Sequence, residues 1–242
     1  MENKKRYMLF VLVILLMLSF SPSKGVCGED AGPDYLEEEQ YLSIPDPLEP
    51  LNRVVFEFND RLYFWVLKPL ARGYSTVVPE DFRYAMGSFF HNITTPVRVV
   101  NSILQGRLRK AGVETLRFLL NTTGGVFGLN DFAGKDLGLK PPDDEDMGQT
   151  LGTYGMGHGF YIVWPVLGPS SLRDTIGIAG DGFLNPINYL AFKEAVLVRT
   201  VEFTNKTSLH IGEYEELKAS AIDPYVSMQD AYLQYRNRKL KK

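Results

Sequence analysis

The sequence predicts a single, mostly helical (all-α or nearly so) domain with one glycine-rich irregular or short β insert. Three observations carry that expectation. Apolar residues recur at helical spacing in one segment after another. Asp-Pro, Val-Pro and Thr-Pro pairs stand where helices would open. No second linker divides the chain beyond Asp46. A chain of 242 residues has room for a sizeable core without disulfide staples.

Asp46-Pro47-Leu48-Glu49 reads as a helix start, with the aspartate as cap, proline in the first turn and Glu49 completing a capping-box pattern. Leu48, Leu51, Val55, Phe58, Leu62 and Val66 then fall in one stripe with Trp65 at its edge, while Glu49, Arg53, Glu57, Asp60 and Arg61 gather opposite. Asn59 lies close to the apolar stripe and is the exception. Val78-Pro79 opens a second helix, whose apolar face is Phe82, Ala85, Met86, Phe89 and Ile93, widened by Phe90. Thr95-Pro96 restarts a helix through Val97, Val100 and Leu104 that Gly106 ends. A fourth runs from about Arg107 to Asn121 and breaks at Gly124-Gly125; Asp131 to Asp146 reads as loop.

Gly148, Gly152, Gly155, Gly157 and Gly159 fall within twelve residues, a segment that reads as tight turns or as a flexible gate. Phe160 to Trp164 reads as a strand, followed by a turn-rich connector at Pro165, Gly168 and Pro169. Ser170 or Ser171 caps a helix through Leu172, Ile176 and Ile178. Helical patterns resume from about Ile187 to Asn205 and from Ser208 to Ser220. Asp223-Pro224 opens a last helix with Tyr225, Met228, Tyr232 and Tyr235 on one face. Its basic end (Arg236, Arg238, Lys239, Lys241, Lys242) reads as a solvated tail or a contact for lipid headgroups.

At the N-terminus, Lys4, Lys5 and Arg6 precede an unbroken apolar run from Met8 to Leu18. This reads as a secretory signal peptide over 1–28, the run being short of the ~20 apolar residues that a membrane span needs. The alternative is an uncleaved anchor. Residues 29–45, acidic at Glu37, Glu38 and Glu39, read as a flexible tether, and 46–238 as the helical domain. Cys27 is the single cysteine, so an internal disulfide is excluded. Lys24-Gly25-Val26-Cys27 departs from a lipobox, which would carry Leu in place of Lys24 and Gly or Ala in place of Val26. Lipidation of Cys27 therefore stands beside ordinary cleavage after Gly25 or Gly28. Without the leader, 22 basic residues face 28 acidic ones, a net charge of about −6. That balance argues against a nucleic-acid partner and against simple electrostatic adhesion to anionic lipid.

Motifs that carry chemistry are missing from the sequence. His91, His158 and His210 stand far apart and in no zinc-ligand spacing. There is no phosphate-binding loop, no dinucleotide fingerprint after a strand, and no nucleophile elbow. Asp143-Asp144-Glu145-Asp146 lacks the spacing of a calcium loop and reads as solvated. The expectation is a protein with no catalytic residue, no metal and no cofactor.

Several blocks together resemble a known family. Asp46-Pro47-Leu48-Glu49-Pro50-Leu51-Asn52-Arg53, then Phe56-Glu57-Phe58-Asn59-Asp60, is similar to the opening signature of the MlaA (VacJ) family. The resemblance continues through Phe89-Phe90-His91-Asn92, Asn101-Ser102-Ile103-Leu104-Gln105-Gly106 and Arg117-Phe118-Leu119-Leu120-Asn121-Thr122. Gly148 to Gly157, Leu172-Arg173-Asp174 and Asp223-Pro224-Tyr225 follow in order. The resemblance implies a helical ring or disc in the inner leaflet of the outer membrane, on its periplasmic face. It implies an amphipathic channel that takes phospholipid from the outer leaflet, a periplasmic lipid-carrier protein that receives it, and association with a trimeric porin.

Such transport needs walls that tolerate both ends of a phospholipid. The expected path residues are Asn59, Asp60, Gly152, Gly155, Gly157 and Gly159. The expected membrane-facing residues are Leu51, Val55, Phe58, Leu62, Phe89 and Phe90. Two other readings stand beside transport. One is a porin-binding structural adaptor, from the tyrosine-rich last helix; the other is a periplasmic lipid hydrolase, from polar residues near the glycines.

Overall fold

The computed structural model describes residues 44–241; Cys27, the expected signal peptide and residues 29–43 of the expected tether lie outside them. Ile44 and Pro45, assigned to the tether from sequence, are part of the fold. Ile44 packs on the cluster of Tyr161, Val163 and Tyr225, and the Pro45 carbonyl accepts from the Tyr161 N–H at 3.0 Å.

The first helix, α1 (Glu49–Leu62), continues through a widened π turn (Tyr63–Leu67) into α2 (Lys68–Val77). Pro69 has no N–H to donate four residues back, and the Lys68 N–H reaches five residues back to Tyr63 instead. A widened turn of this kind lets one continuous helix pass a proline. Asp46 does not cap α1: the first turn is led by Leu48, with no side-chain bond. Asp46 instead accepts from Asn52 Nδ2 at 2.8 Å and from the Tyr225 hydroxyl, because a buried tyrosine needs a partner for its O–H.

Helices α3 (Glu80–Ile93), α4 (Thr95–Leu104) and α5 (Leu108–Thr123) fall where the sequence puts them, Gly106 taking φ 72 between the last two. The segment expected to be loop holds a short α6 (Phe132–Lys135), capped by Asp131. The glycine-rich segment is half helix. Helix α7 (Met147–Thr153) is capped by Asp146, which accepts from the Gln149 N–H at 2.8 Å. Gly148 and Gly152 are helical, and only Gly155 (φ 89) and Gly159 (φ 74) need the left-handed region that glycine supplies.

Strand β1 (Tyr161–Trp164) pairs antiparallel with β2 (Gly168–Ser171), so the expected connector is a strand. Ser171 then caps α8 (Leu172–Leu184), accepting from the Asp174 N–H at 3.2 Å. A single 3₁₀ turn (Pro186–Tyr189) leads to α9 (Phe192–Leu209). Helix α10 (Glu213–Ser220) starts later than expected because Gly212 bends the chain at φ 109, and Asp223 caps α11 (Pro224–Leu240) as expected. Helix α7 lies against α8, α4 against α5, and α9 crosses both α2 and α3. The α7–α8 approach is so close that a Cβ on Gly177 would sit 2.5 Å from the Gly148 backbone nitrogen.

The polarity of the fold is inverted. Among the described residues, ten hydrophobic side chains are buried against nineteen polar or charged ones, and thirty large hydrophobics are exposed. Ordinary soluble domains bury their apolar side chains and leave charge outside. Here the interior is held by polar pairs. Asn52 and Asn59, seven residues apart on α1, pair their side-chain amides with the hairpin backbone as a neighbouring strand would. Asn52 accepts from Val163 N–H at 2.9 Å and donates to the Tyr161 carbonyl at 3.1 Å. Asn59 accepts from Val166 N–H at 2.8 Å and donates to the Trp164 carbonyl at 2.9 Å.

The run of acids is likewise not a solvated loop. Glu145 is buried between Arg107 and Lys110, and Asp146 binds Arg236. Arg236, placed by sequence in a basic tail, is buried: it holds Asp146 at 2.6 and 2.9 Å and Asp174 at 2.8 Å, tying α11 to α7 and α8. A helix interior rich in paired charge is what a one-dimensional charge pattern cannot reveal.

Candidate functional site

The cavity of interest has a volume of about 620 Å³ and lies between α3, α4, α8 and α9. Helix α3 contributes Gly87, Phe90 and His91; α4 contributes Val97 and Arg98; α8 contributes Ile178, Asp181 and Gly182. The 3₁₀ turn adds Asn188, and α9 adds Arg199, Glu202, Asn205, Lys206 and Leu209. Apolar and charged groups thus share one wall, as a molecule with a polar head and greasy tail would require.

The charges on the α3–α4–α8 side are engaged. The Arg98 guanidinium is 6% exposed and donates to Glu114 at 3.0 Å, to the His91 carbonyl at 2.9 Å and to the hydroxyls of Thr94 and Thr95 at 3.0 Å each. Burial, then the neighbouring Arg98 charge, push the His91 imidazole below its usual value, so it stays neutral near pH 7. Asp181 accepts from Asn101 Nδ2 at 2.8 Å and from the Met147 N–H at 3.1 Å, which fastens the start of α7. Burial nevertheless pushes its carboxyl up to about 6.

The α9 side differs. Arg199 donates to the Asn188 amide oxygen at 2.5 Å, and Asn188 is itself braced on the Gly182 carbonyl at 2.7 Å. Asn205 is clamped by the Tyr74 hydroxyl and the Arg83 carbonyl, which fixes α9 to α2 and α3. Along the rest of its surface α9 exposes Phe192, Val196, Leu197 and Phe203. Arg199, Glu202 and Lys206 line the cavity, Glu202 half-buried and the two cations exposed, while Phe192, Val196 and Phe203 stand exposed on the helix face beside them.

The sequence-predicted path residues are not at this cavity. Asn59 is engaged with the hairpin, and Asp60 accepts from the Tyr214 hydroxyl at 2.8 Å and Lys218 at 2.7 Å, which pins α10. Gly152 is packed against Leu240 and Arg173, while Gly155, Gly157 and Gly159 lie on the turn that follows α7. Of the expected membrane-facing set, Leu51 and Phe58 are exposed, and Leu62 and Phe89 are half-buried. Val55 packs on the aromatic cluster instead, and Phe90 is buried and lines the cavity. The tyrosines of the last helix mostly point inward: Tyr225 bonds Asp46 and Tyr232 bonds Asp174, leaving Tyr235 exposed.

Sequence reasoning missed the α9 stripe. Its signal was legible in principle, since Arg199, Glu202 and Lys206 recur at helical spacing, but so do exposed charges on most helices. Among the described residues, no three His, Cys, Asp or Glu side chains gather where they would hold a metal ion, and no helix is long and apolar enough to cross a membrane.

Comparison with known proteins matches residues 44–239 to the family described as MlaA lipoprotein. The chain is 34% identical over 191 residues to the Escherichia coli K12 "Intermembrane phospholipid transport system lipoprotein MlaA", covering 78% of this chain and 76% of that one. It is 31% identical over 195 residues to the Haemophilus influenzae protein of the same description, covering 78% and 76%. An uncharacterized Rickettsia felis protein is 36% identical over 196 residues, 80% of this chain and 77% of its own. A solved structure described as "Structural basis for maintenance of bacterial outer membrane lipid asymmetry" superposes with a TM-score of 0.71 at 32% identity, over 79% of this chain and 97% of that chain. The ordered motifs, the helical fold and these matches agree: the chain belongs to the MlaA lipoprotein family.

Proposed function

We propose that this protein moves phospholipid out of the outer leaflet of the outer membrane, with the cavity between α3, α4, α8 and α9 as part of its route. The observation that carries this reading is the inverted polarity: among the described residues, nineteen polar or charged side chains are buried, Arg98 and Asn101 of α4 among them, while thirty large hydrophobics are exposed. An exposed apolar surface of this extent is costly in water and favourable against acyl chains. With no described helix able to span, such a surface suits a protein seated in one monolayer. The polar cavity then offers the headgroup a path while the tails keep to the apolar side.

No bond is made or broken in this reading, so the protein is a transporter component rather than an enzyme. In this reading a periplasmic carrier takes up the lipid it releases and a trimeric porin holds it in place, as the family resemblance of the sequence implies. In a strain lacking the gene, phospholipid exposed on the cell surface should rise and return to normal on complementation. Unchanged surface phospholipid would remove the proposal. Turnover of phospholipid by the purified protein would favour the hydrolase reading instead, and the same loss of function from a porin-contact variant that still moves lipid in vesicles would favour the adaptor.

A further inference from the structure

We infer that the charged stripe of α9 that lines the cavity is a headgroup subsite, Arg199 and Lys206 taking a phosphodiester and Glu202 taking a primary ammonium, so that the cavity favours zwitterionic aminophospholipids. This inference rests on the transport reading above and names its substrate class. At three and four residues apart, Arg199, Glu202 and Lys206 share one face of the helix. At ~1.5 Å rise per residue the acid stands about 4.5 Å along the axis from Arg199 and about 6 Å from Lys206. All three line the cavity.

The other charges of the cavity wall have partners within the fold: Asp144 lies 3.4 Å from Arg98. Asp181 holds the start of α7, and Arg98 holds Glu114. Arg199 hydrogen-bonds only the neutral Asn188 amide, and its charge acts on Glu202 across one helical turn. Among the described residues, neither Arg199 nor Lys206 forms an ion pair, although Glu202 and Lys206 have the spacing of an ordinary helical pair. Glu202 is half-buried, with burial holding its proton more tightly than usual and the two cations opposing that.

A charge order of cation, anion, cation fits a group that carries phosphate and ammonium on one short linker. Arginine and lysine both bind phosphate by charge-assisted hydrogen bonds. A primary ammonium donates to Glu202, whereas a glycerol headgroup brings no charge and a quaternary ammonium brings no N–H. Either would bring the half-buried Glu202 no hydrogen-bond donor. Phe192, Val196 and Phe203, exposed on the helix face beside the charged stripe, are where acyl chains would lie.

The test uses the full chain incorporated into vesicles of equal parts phosphatidylethanolamine and phosphatidylglycerol, re-extracted, with bound lipid read by mass spectrometry. Expected for the unaltered protein is several-fold enrichment of phosphatidylethanolamine over the vesicle ratio. Glu202→Gln, which preserves shape, should abolish the enrichment while total bound lipid holds. Lys206→Gln or Arg199→Gln should lower retention of both lipids about tenfold, the loss of one charge-assisted bond. Competing O-phosphoethanolamine, which lacks acyl chains, should displace neither lipid. Bound lipid at the vesicle ratio, or enrichment surviving in Glu202→Gln, overturns this inference and leaves transport standing. Absence of bound lipid overturns both. Displacement by the soluble ester would mean that the subsite serves a free phosphate compound, which also overturns it.

Discussion

Replacing Arg236 by Met separates a buried structural arginine from a solvated tail residue. Arg236 is 7% exposed and bridges Asp146 of the α7 cap and Asp174 of α8. Burial alone would push Asp146 up, but the hydrogen bonds and charge of Arg236 outweigh it and hold the carboxyl down at about 2. Arg236→Met would leave the half-buried Asp146 without its cation and Asp174 with Arg173 alone. Removing one partner of a buried pair costs about 3–5 kcal/mol. For a domain of this size each kcal/mol shifts the melting temperature by roughly 2–4 °C, so thermal unfolding followed by circular dichroism should move down by about 6–20 °C. A surface arginine would cost no more than ~0.5 kcal/mol. The acid limb gives a second reading. A carboxyl depressed in the folded state contributes stability above its unfolded pKa, and that stability is lost as pH falls through the folded value. The unaltered protein should therefore lose stability from about pH 4 down to pH 2, and the variant should show a shallower acid limb. A melting temperature within about 2 °C of the unaltered protein at pH 7 would refute the buried-bridge reasoning.

Other outcomes follow from the same structure. Gly177→Ala should destabilise by about 1–3 kcal/mol or more, since the new methyl meets backbone rather than a movable side chain; a denaturant midpoint unchanged from the unaltered protein would contradict it. Asn52→Ala should cost about 2–4 kcal/mol, because it orphans the Val163 N–H and the Tyr161 carbonyl at once, whereas Asn59→Ala, at the exposed end of the same pairing, should cost about 1 kcal/mol. Asp181, raised to about 6 by burial, works in the opposite direction to Asp146. Its folded state takes up a proton first, so stability should rise as pH falls from about 7 to about 4. Asp181→Asn should flatten that rise in melting temperature measured across the same buffers.

Much of the helical frame was legible from residue 46 onward. Proline and aspartate at Asp223-Pro224, Thr95-Pro96 and Val78-Pro79 marked helix starts, and Gly106 and Gly124-Gly125 marked ends, because backbone preference is a local property. The site was less legible. Asn59 and Asp60 drew attention as polar residues beside an apolar stripe, yet their partners are Val166, Trp164, Tyr214 and Lys218, at more than a hundred residues' separation. Of the cavity wall only Phe90 was among the candidates, since Arg199, Glu202 and Lys206 look like any exposed helix surface until α3, α4 and α8 are placed beside them.

Taken alone, then, the sequence determined where helices begin and end, that one glycine-rich stretch interrupts them, and, through the ordered blocks, the family. Spacing within a helix sets which residues share a face, and no long-range contact is needed to read it. The tertiary structure decided which face looks inward. For an ordinary soluble protein the apolar face would be buried, and periodicity would settle the matter; here much of it is outside and charge is inside. Periodicity is symmetric between those two outcomes. Only the packing of α9 against α2 and α3, and of Arg236 between Asp146 and Asp174, chooses between them.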